Sequence, residues 1–114
     1  MELNAELYNT PTAESIYESL PLEGKANTWG NEVYFNIELG IEQEEEAREE
    51  LEEGELGYWP LGPAFCIFFG PTPASSGTKP KAYSPVNVFG KITQNHALLK
   101  SIKNSEKIKV IKFK

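Results

Sequence analysis

Glu32 and Tyr34 stand two residues apart in a run of β-formers, EVYFN, so both side chains leave one face of an extended strand. A carboxylate beside a phenol is a usable acid/base pair, and an outward polar strand face accounts for the same spacing as cheaply. Cys66 is alone and lies between Phe65 and Ile67. A reactive thiolate needs a cationic, partly exposed setting, so this cysteine reads as a small buried hydrophobe. His96 is the sole histidine, in a polar QNH turn, and reads as an exposed loop residue. Glu42–Glu55 is crowded with glutamates, but hard cations need oxygens converging from a bent loop rather than a run of like side chains. It reads as a solvated acidic face or loop. There is no G-x-S-x-G, no phosphate loop and no His/Cys cluster. No catalytic residue, metal or cofactor is expected.

At 114 residues the chain is expected to form one domain, 1–114, large enough for a core without disulfides. A formal charge of −6 argues against nucleic acid as partner, since phosphate binding needs clustered Lys and Arg. No segment approaches the roughly 20 apolar residues of a membrane span. The opening MELNAELYN has neither the basic region nor the apolar core of a signal peptide, so a cytoplasmic protein is expected. Abundant Glu and Lys with scarce Met and Cys would suit a thermophile.

The elements that must position these residues follow from periodicity and breakers. Leu3, Ala5 and Leu7 alternate with polar residues and predict a short strand. Thr10 or Thr12 can cap a helix in which Ala13, Ile16, Tyr17 and Leu20 form one apolar stripe, ended by Pro21. Gly24–Gly30 is a turn-rich connector carrying Trp29. Glu32–Leu39 is a strand with Val33, Phe35, Ile37 and Leu39 on the face opposite Glu32 and Tyr34. Ala64–Phe69 (AFCIFF), set between Gly-Pro pairs, predicts a strand buried on both faces. Val86–Phe89 is another strand, and the proline-rich excursion between them a rigid surface loop. A short helix begins near Asn95, and Lys107–Lys114 closes the chain as a strand. Many short strands with little helix point to a mainly β fold, a closed or nearly closed barrel with one N-terminal helix and one short C-terminal helix.

Val88-Phe89-Gly90-Lys91-Ile92 ahead of Leu98-Leu99 resembles the cyclophilin strand V-F-G-[KR]-[VI] that leads into a short helix. Glu6-Leu7-Tyr8 before Pro11-Thr12-Ala13-Glu14 resembles the cyclophilin strand-to-helix entry. Asn27–Phe35 (NTWGNEVYF), Gly57–Pro60 (GYWP), Phe65–Pro73 (FCIFFGPTP) and Ser84–Gly90 (SPVNVFG) resemble a family of small archaeal and bacterial proteins with a cyclophilin-like fold and no established function. The resemblance implies a surface strand over Arg48–Glu53 and puts Trp59-Pro60 and Phe65–Phe68 beside the cyclophilin peptide groove. It also implies an extra N-terminal strand for which this chain's first residues are too few, leaving a sheet edge that a second copy could cover as a homodimer. Cyclophilins polarise the prolyl amide with an arginine on a strand reading F-H-R-[VI]. The matching strand here, Glu32–Ile37, has none, so prolyl isomerase catalysis is not expected.

Two functions stay open at this point. In the first, Tyr34, Tyr58, Trp59, Phe65 and Asn87 line a shallow groove in which Glu32 orients a peptide or small polar ligand, with Trp29 closing one end. Core packing would explain each aromatic equally well. In the second, the chain is an enzyme on a small-molecule substrate with Glu32 as acid or base, which requires Glu32 to sit in a cleft with a raised pKa.

Overall fold

The computed structural model describes residues 2–113. It opens with a three-residue strand, Ala5–Leu7 (β1), and a helix over Pro11–Ser19 (α1). Thr10 Oγ1 accepts the Ala13 N–H at 3.0 Å, and Pro11 occupies a first-turn position whose N–H would have no helical partner. Ala13 and Ile16 are buried as their spacing predicts, whereas Tyr17 is half-exposed with Lys112 Nζ 4.8 Å from its ring centre.

Six short strands follow: Leu22–Lys25 (β2), Asn27–Thr28 (β3), Glu32–Asn36 (β4), Arg48–Glu50 (β5), Glu55–Trp59 (β6) and Ala64–Phe68 (β7). Lys81–Ile92 (β8) is much longer than the four residues VNVF, a 3-10 helix spans His96–Ser101, and Lys107–Val110 (β9) is the last strand. The acidic segment is loop and then strand, without helix. Its two apolar residues, Ala47 and Leu51, are too few to hold a helix onto a core.

The main sheet is antiparallel, in the order β1-β8-β6-β7-β4-β3, with β5 also on β8. It is not closed, which corrects the expected barrel. β1 and β3 end it with three and two residues, and no hydrogen-bonded ladder joins them. Closure is forgone because the segment leading into β3 changes sheets. Leu22–Lys25 pairs with β9, Ala26 still exchanges bonds with Ser105 and Glu106 at 2.8 Å each, and from Asn27 the chain pairs with β4. The β2–β9 ribbon therefore lies over one sheet face instead of bridging the sheet's ends.

Strand alternation divides the interior in two. Val33, Phe35, Leu56, Tyr58, Phe65, Ile67 and Phe89 face the larger core, covered by α1, the ribbon and Leu99 of the 3-10 helix. Ala64, Cys66, Phe68 and Val86 face the other way and join Leu51 and Ala82 in a smaller core. β7 feeds both and all five of its residues are buried, as AFCIFF predicts.

Asn87 ties the acidic loop to the sheet. Its Oδ1 accepts the Glu44 N–H at 2.8 Å, while Nδ2 donates to the Glu42 carbonyl at 2.9 Å and to Thr12 Oγ1 at 3.1 Å. The Glu44 carboxylate in turn accepts from the Thr12 N–H at 3.0 Å and from its hydroxyl, adding a second cap to α1. Asn87 is fully buried, so Asn87→Ala removes its hydrogen bonds from the interior and leaves the Glu44 N–H and the Glu42 carbonyl without that partner. The variant should lose about 2 kcal/mol of unfolding free energy, read as a lower urea midpoint at unchanged m-value. A change within about 0.5 kcal/mol, the usual range for surface substitutions, would show that the loop is not anchored there.

Candidate functional site

A tight hairpin turn builds one wall of a cavity on the side of the sheet that carries the smaller core. Trp29 and Glu32 exchange N–H···O=C bonds at 2.9 and 3.1 Å, with Gly30 at φ +60° as the first of two turn residues. That left-handed conformation is one glycine adopts without strain. Directly paired residues share a sheet face, so Trp29 is carried to the side from which Glu32 projects. Tyr34 follows on that side, opposite Cys66 of β7. From β6 comes Trp59, whose Nε1–H donates to Ser84 Oγ at 2.6 Å. Gly62 lies beneath its ring, where a Cβ would run into the six-membered ring. Tyr83 stands between the two indoles, edge-to-face with Trp29 at 6.3 Å and with Trp59 at 5.9 Å between centroids. Phe68, Cys66 and Val86 form the apolar floor of the resulting cavity of about 190 Å³.

Glu32 is the charged group in this cavity, and it is only 6 % exposed. Among the described residues no cation pairs with it, and beside it lies the thiol of Cys66, a weak donor whose Sγ is also 3.8 Å from the Ala64 carbonyl. No fully sealed side-chain N or O among those residues lacks a partner, so the Glu32 oxygens owe their remaining exposure to the cavity. Burial pushes its carboxyl up to about 7, with the Cys66 contact offsetting part of the rise. Burial, then the Glu32 charge, raises the Cys66 thiol well above its ordinary value, which removes it as a nucleophile at neutral pH.

The other buried carboxylate, Glu55, is fully used by the fold. It accepts from Tyr8 Oη at 2.8 Å, from Arg48 Nη2 at 3.1 Å and from the Glu52 N–H at 2.8 Å. Burial alone would raise its carboxyl, but these donors together hold it below its ordinary value. His96 meets Glu53 at 3.3 Å on the surface. Among the described residues no group of three His, Cys, Asp or Glu is placed to hold a metal, and no helix is long and apolar enough to cross a membrane.

Comparison with known proteins agrees with this architecture. A family model described as cyclophilin-like matches residues 1–111. The chain belongs to the cyclophilin-like family. The solution structure of a hypothetical protein from Archaeoglobus fulgidus is similar over 95 % of this chain and 85 % of its own, at 35 % identity and a TM-score of 0.76. No curated protein sequence matches.

In this cyclophilin-like chain the six residues expected to line one groove fall on two sides of the sheet. Glu32, Tyr34 and Trp59 line the cavity, and Trp29 closes it. Tyr58 and Phe65 are a cross-strand pair in the larger core, 1 % and 3 % exposed, and Asn87 opposite Tyr58 holds the acidic loop. Adjacent strand residues point to opposite faces, so Tyr58 and Trp59 cannot line one surface once β6 is a strand through both. Tyr83 and Ser84 also line the cavity; proline and polar residues around them predict loop, yet β8 already runs from Lys81. The single arginine, Arg48, is on β5 and bound to Glu55 and to the Glu50 carbonyl, away from the strand on which cyclophilins carry theirs.

Proposed function

We propose that this chain is a ligand-binding member of the cyclophilin-like family, that its site is the Glu32 cavity, and that it has no prolyl isomerase activity. One observation carries the reading: a carboxylate more than nine-tenths buried, with no charged partner among the described residues, opens into an aromatic-walled cavity. Leaving such a group unpaired costs folding free energy, and an occupant that pairs with it recovers that cost. The volume, below the roughly 300–1,000 Å³ of drug-sized sites, suits a small polar molecule or one side chain of a peptide. Self-association ranks behind this, since the β1 edge offers a second copy only three residues to pair with.

An NMR screen with small polar fragments and short peptides tests the reading. Shifts should concentrate on the indole N–H signals of Trp29 and Trp59 and the amides of Glu32 and Tyr34. Fragments that perturb no signal around the cavity would remove the proposal, and prolyl isomerisation at ordinary rates would remove its second half.

A second reading draws on the same carboxyl. A group titrating at about 7 is matched to proton transfer at neutral pH, as an enzyme with Glu32 for its acid or base requires. Slow chemical change in a bound fragment, following an ionisation near 7 and abolished in Glu32→Gln, would favour it over simple binding.

A further inference from the structure

The occupant's chemistry can be narrowed further, on the footing that the Glu32 cavity is a binding site. We infer that it takes an organic ammonium cation, flanked by the Trp29, Trp59 and Tyr83 rings, the last largely exposed at the mouth, with its charge against the Glu32 carboxylate. The cavity supplies one negative charge and no positive one. Lys81, next to the lining residue Ala82, turns its Nζ instead to Glu49, 3.9 Å away. The other titratable groups lining the cavity are Tyr34 from β4, Cys66 from β7 and Tyr83 from β8, none of which can carry a positive charge. Aromatic faces are the negative part of the ring quadrupole, and indoles are the strongest cation hosts of the three ring types. Two indoles bracket a phenol here at centroid distances of 6.3 and 5.9 Å.

The same features disfavour other occupants. Hard metal ions want six or more oxygens, and one carboxylate among aromatic and apolar walls does not provide them. An anion would meet the ionised Glu32. Size also points to a small head group: about 190 Å³ corresponds to about six water volumes at roughly 30 Å³ each, enough for a substituted ammonium and a short tail. A neutral carbonyl ligand remains chemically conceivable through protonated Glu32, and it makes the opposite prediction about pH. A cation needs the ionised carboxylate, so its affinity rises with pH through about 7, whereas an acceptor ligand loses affinity over the same range.

Choline and 3,3-dimethylbutan-1-ol differ only in carrying nitrogen or carbon at the branched centre, and 3,3-dimethylbutyrate supplies the anionic counterpart. All three should be titrated into the full chain, following tryptophan emission and the two indole N–H signals. Choline should bind at least about tenfold tighter than the alcohol. Its affinity should fall about tenfold between pH 8 and pH 6, as the ionised fraction of Glu32 drops around a midpoint near 7. Glu32→Gln, its fold checked by the same spectra, should lose both the charge preference and the pH dependence; the wild-type pH series decides the point even if that variant does not fold. Equal or tighter binding of the alcohol or the anion, or choline affinity that is flat or falling with rising pH, overturns the cation assignment and leaves the binding site standing. If none of the three perturbs either indole, the binding-site reading falls with it.

Discussion

Phe65→Ala should cost the fold about 3–5 kcal/mol, the range for removing a buried phenylalanine from a core that cannot collapse into the gap. Phe65 lies on β7, hydrogen-bonded to β4 on one side and β6 on the other. Its ring stacks on Phe35 at 5.0 Å and 20° and meets Phe89 edge-on at 5.1 Å. Truncation therefore removes two aromatic contacts as well as the buried area, in strands that pair along their whole length and have little freedom to close up. For a domain of 114 residues, total stability is on the order of 6–17 kcal/mol, so the loss is a large fraction of the whole. Urea denaturation followed by circular dichroism would measure it. A loss under about 1 kcal/mol would mean that Phe65 is not a core residue, and would return it to the list of groove candidates.

Raising the pH from 4 to 8 should weaken the wild-type fold relative to Glu32→Gln by about 3 kcal/mol. The Glu32 carboxyl is raised from 4.5 in the unfolded chain to about 7 in the folded one. Between those values the native state holds the extra proton, so stability falls as pH rises, and about a unit above 7 the penalty levels off. A displacement of about 2.5 units at about 1.4 kcal/mol each sets the size. Glu55 works in the opposite sense: its carboxyl is lowered, so its contribution is present at neutral pH and lost on acidification. Wild-type stability alone mixes the two, whereas the difference between wild type and Glu32→Gln isolates Glu32. Paired urea melts at pH 4 and pH 8 would give that difference. If it is the same at both pH values, Glu32 is solvated in the folded protein, and the argument for a ligand in its cavity loses its basis.

Much of the scaffold is legible in residue order because it depends on local rules. AFCIFF between Gly-Pro breakers has no polar side to offer water, and β7 is buried on both faces. Alternation along EVYFN separates Glu32 and Tyr34 from Val33 and Phe35, and the sheet keeps that separation. Thr10 and Pro11 mark the start of α1 through backbone groups that any helix leaves unpaired. The long β8 was harder to see, because Pro85 and the polar residues around it resemble a loop. An edge-tolerant proline inside a strand is revealed only by the neighbours that pair around it. The β2 strand carries few β-formers, and what makes it extended is its partner β9, more than eighty residues away.

The cavity itself divides the same way. Residue order alone established that a carboxylate and a phenol share one strand face, that an apolar strand runs through the middle, and that a cyclophilin-type arginine is missing from the expected strand. Which aromatics join that carboxylate was decided by pairing register, since a shift of one residue moves every side chain to the other face. Register placed Trp59 with Glu32 and sent Tyr58, Phe65 and Asn87 to the opposite side. The charge state of Glu32 was decided by tertiary structure too. Burial is a property of what packs around a residue, and the indoles and Tyr83 that line its cavity come from three separate segments of the chain.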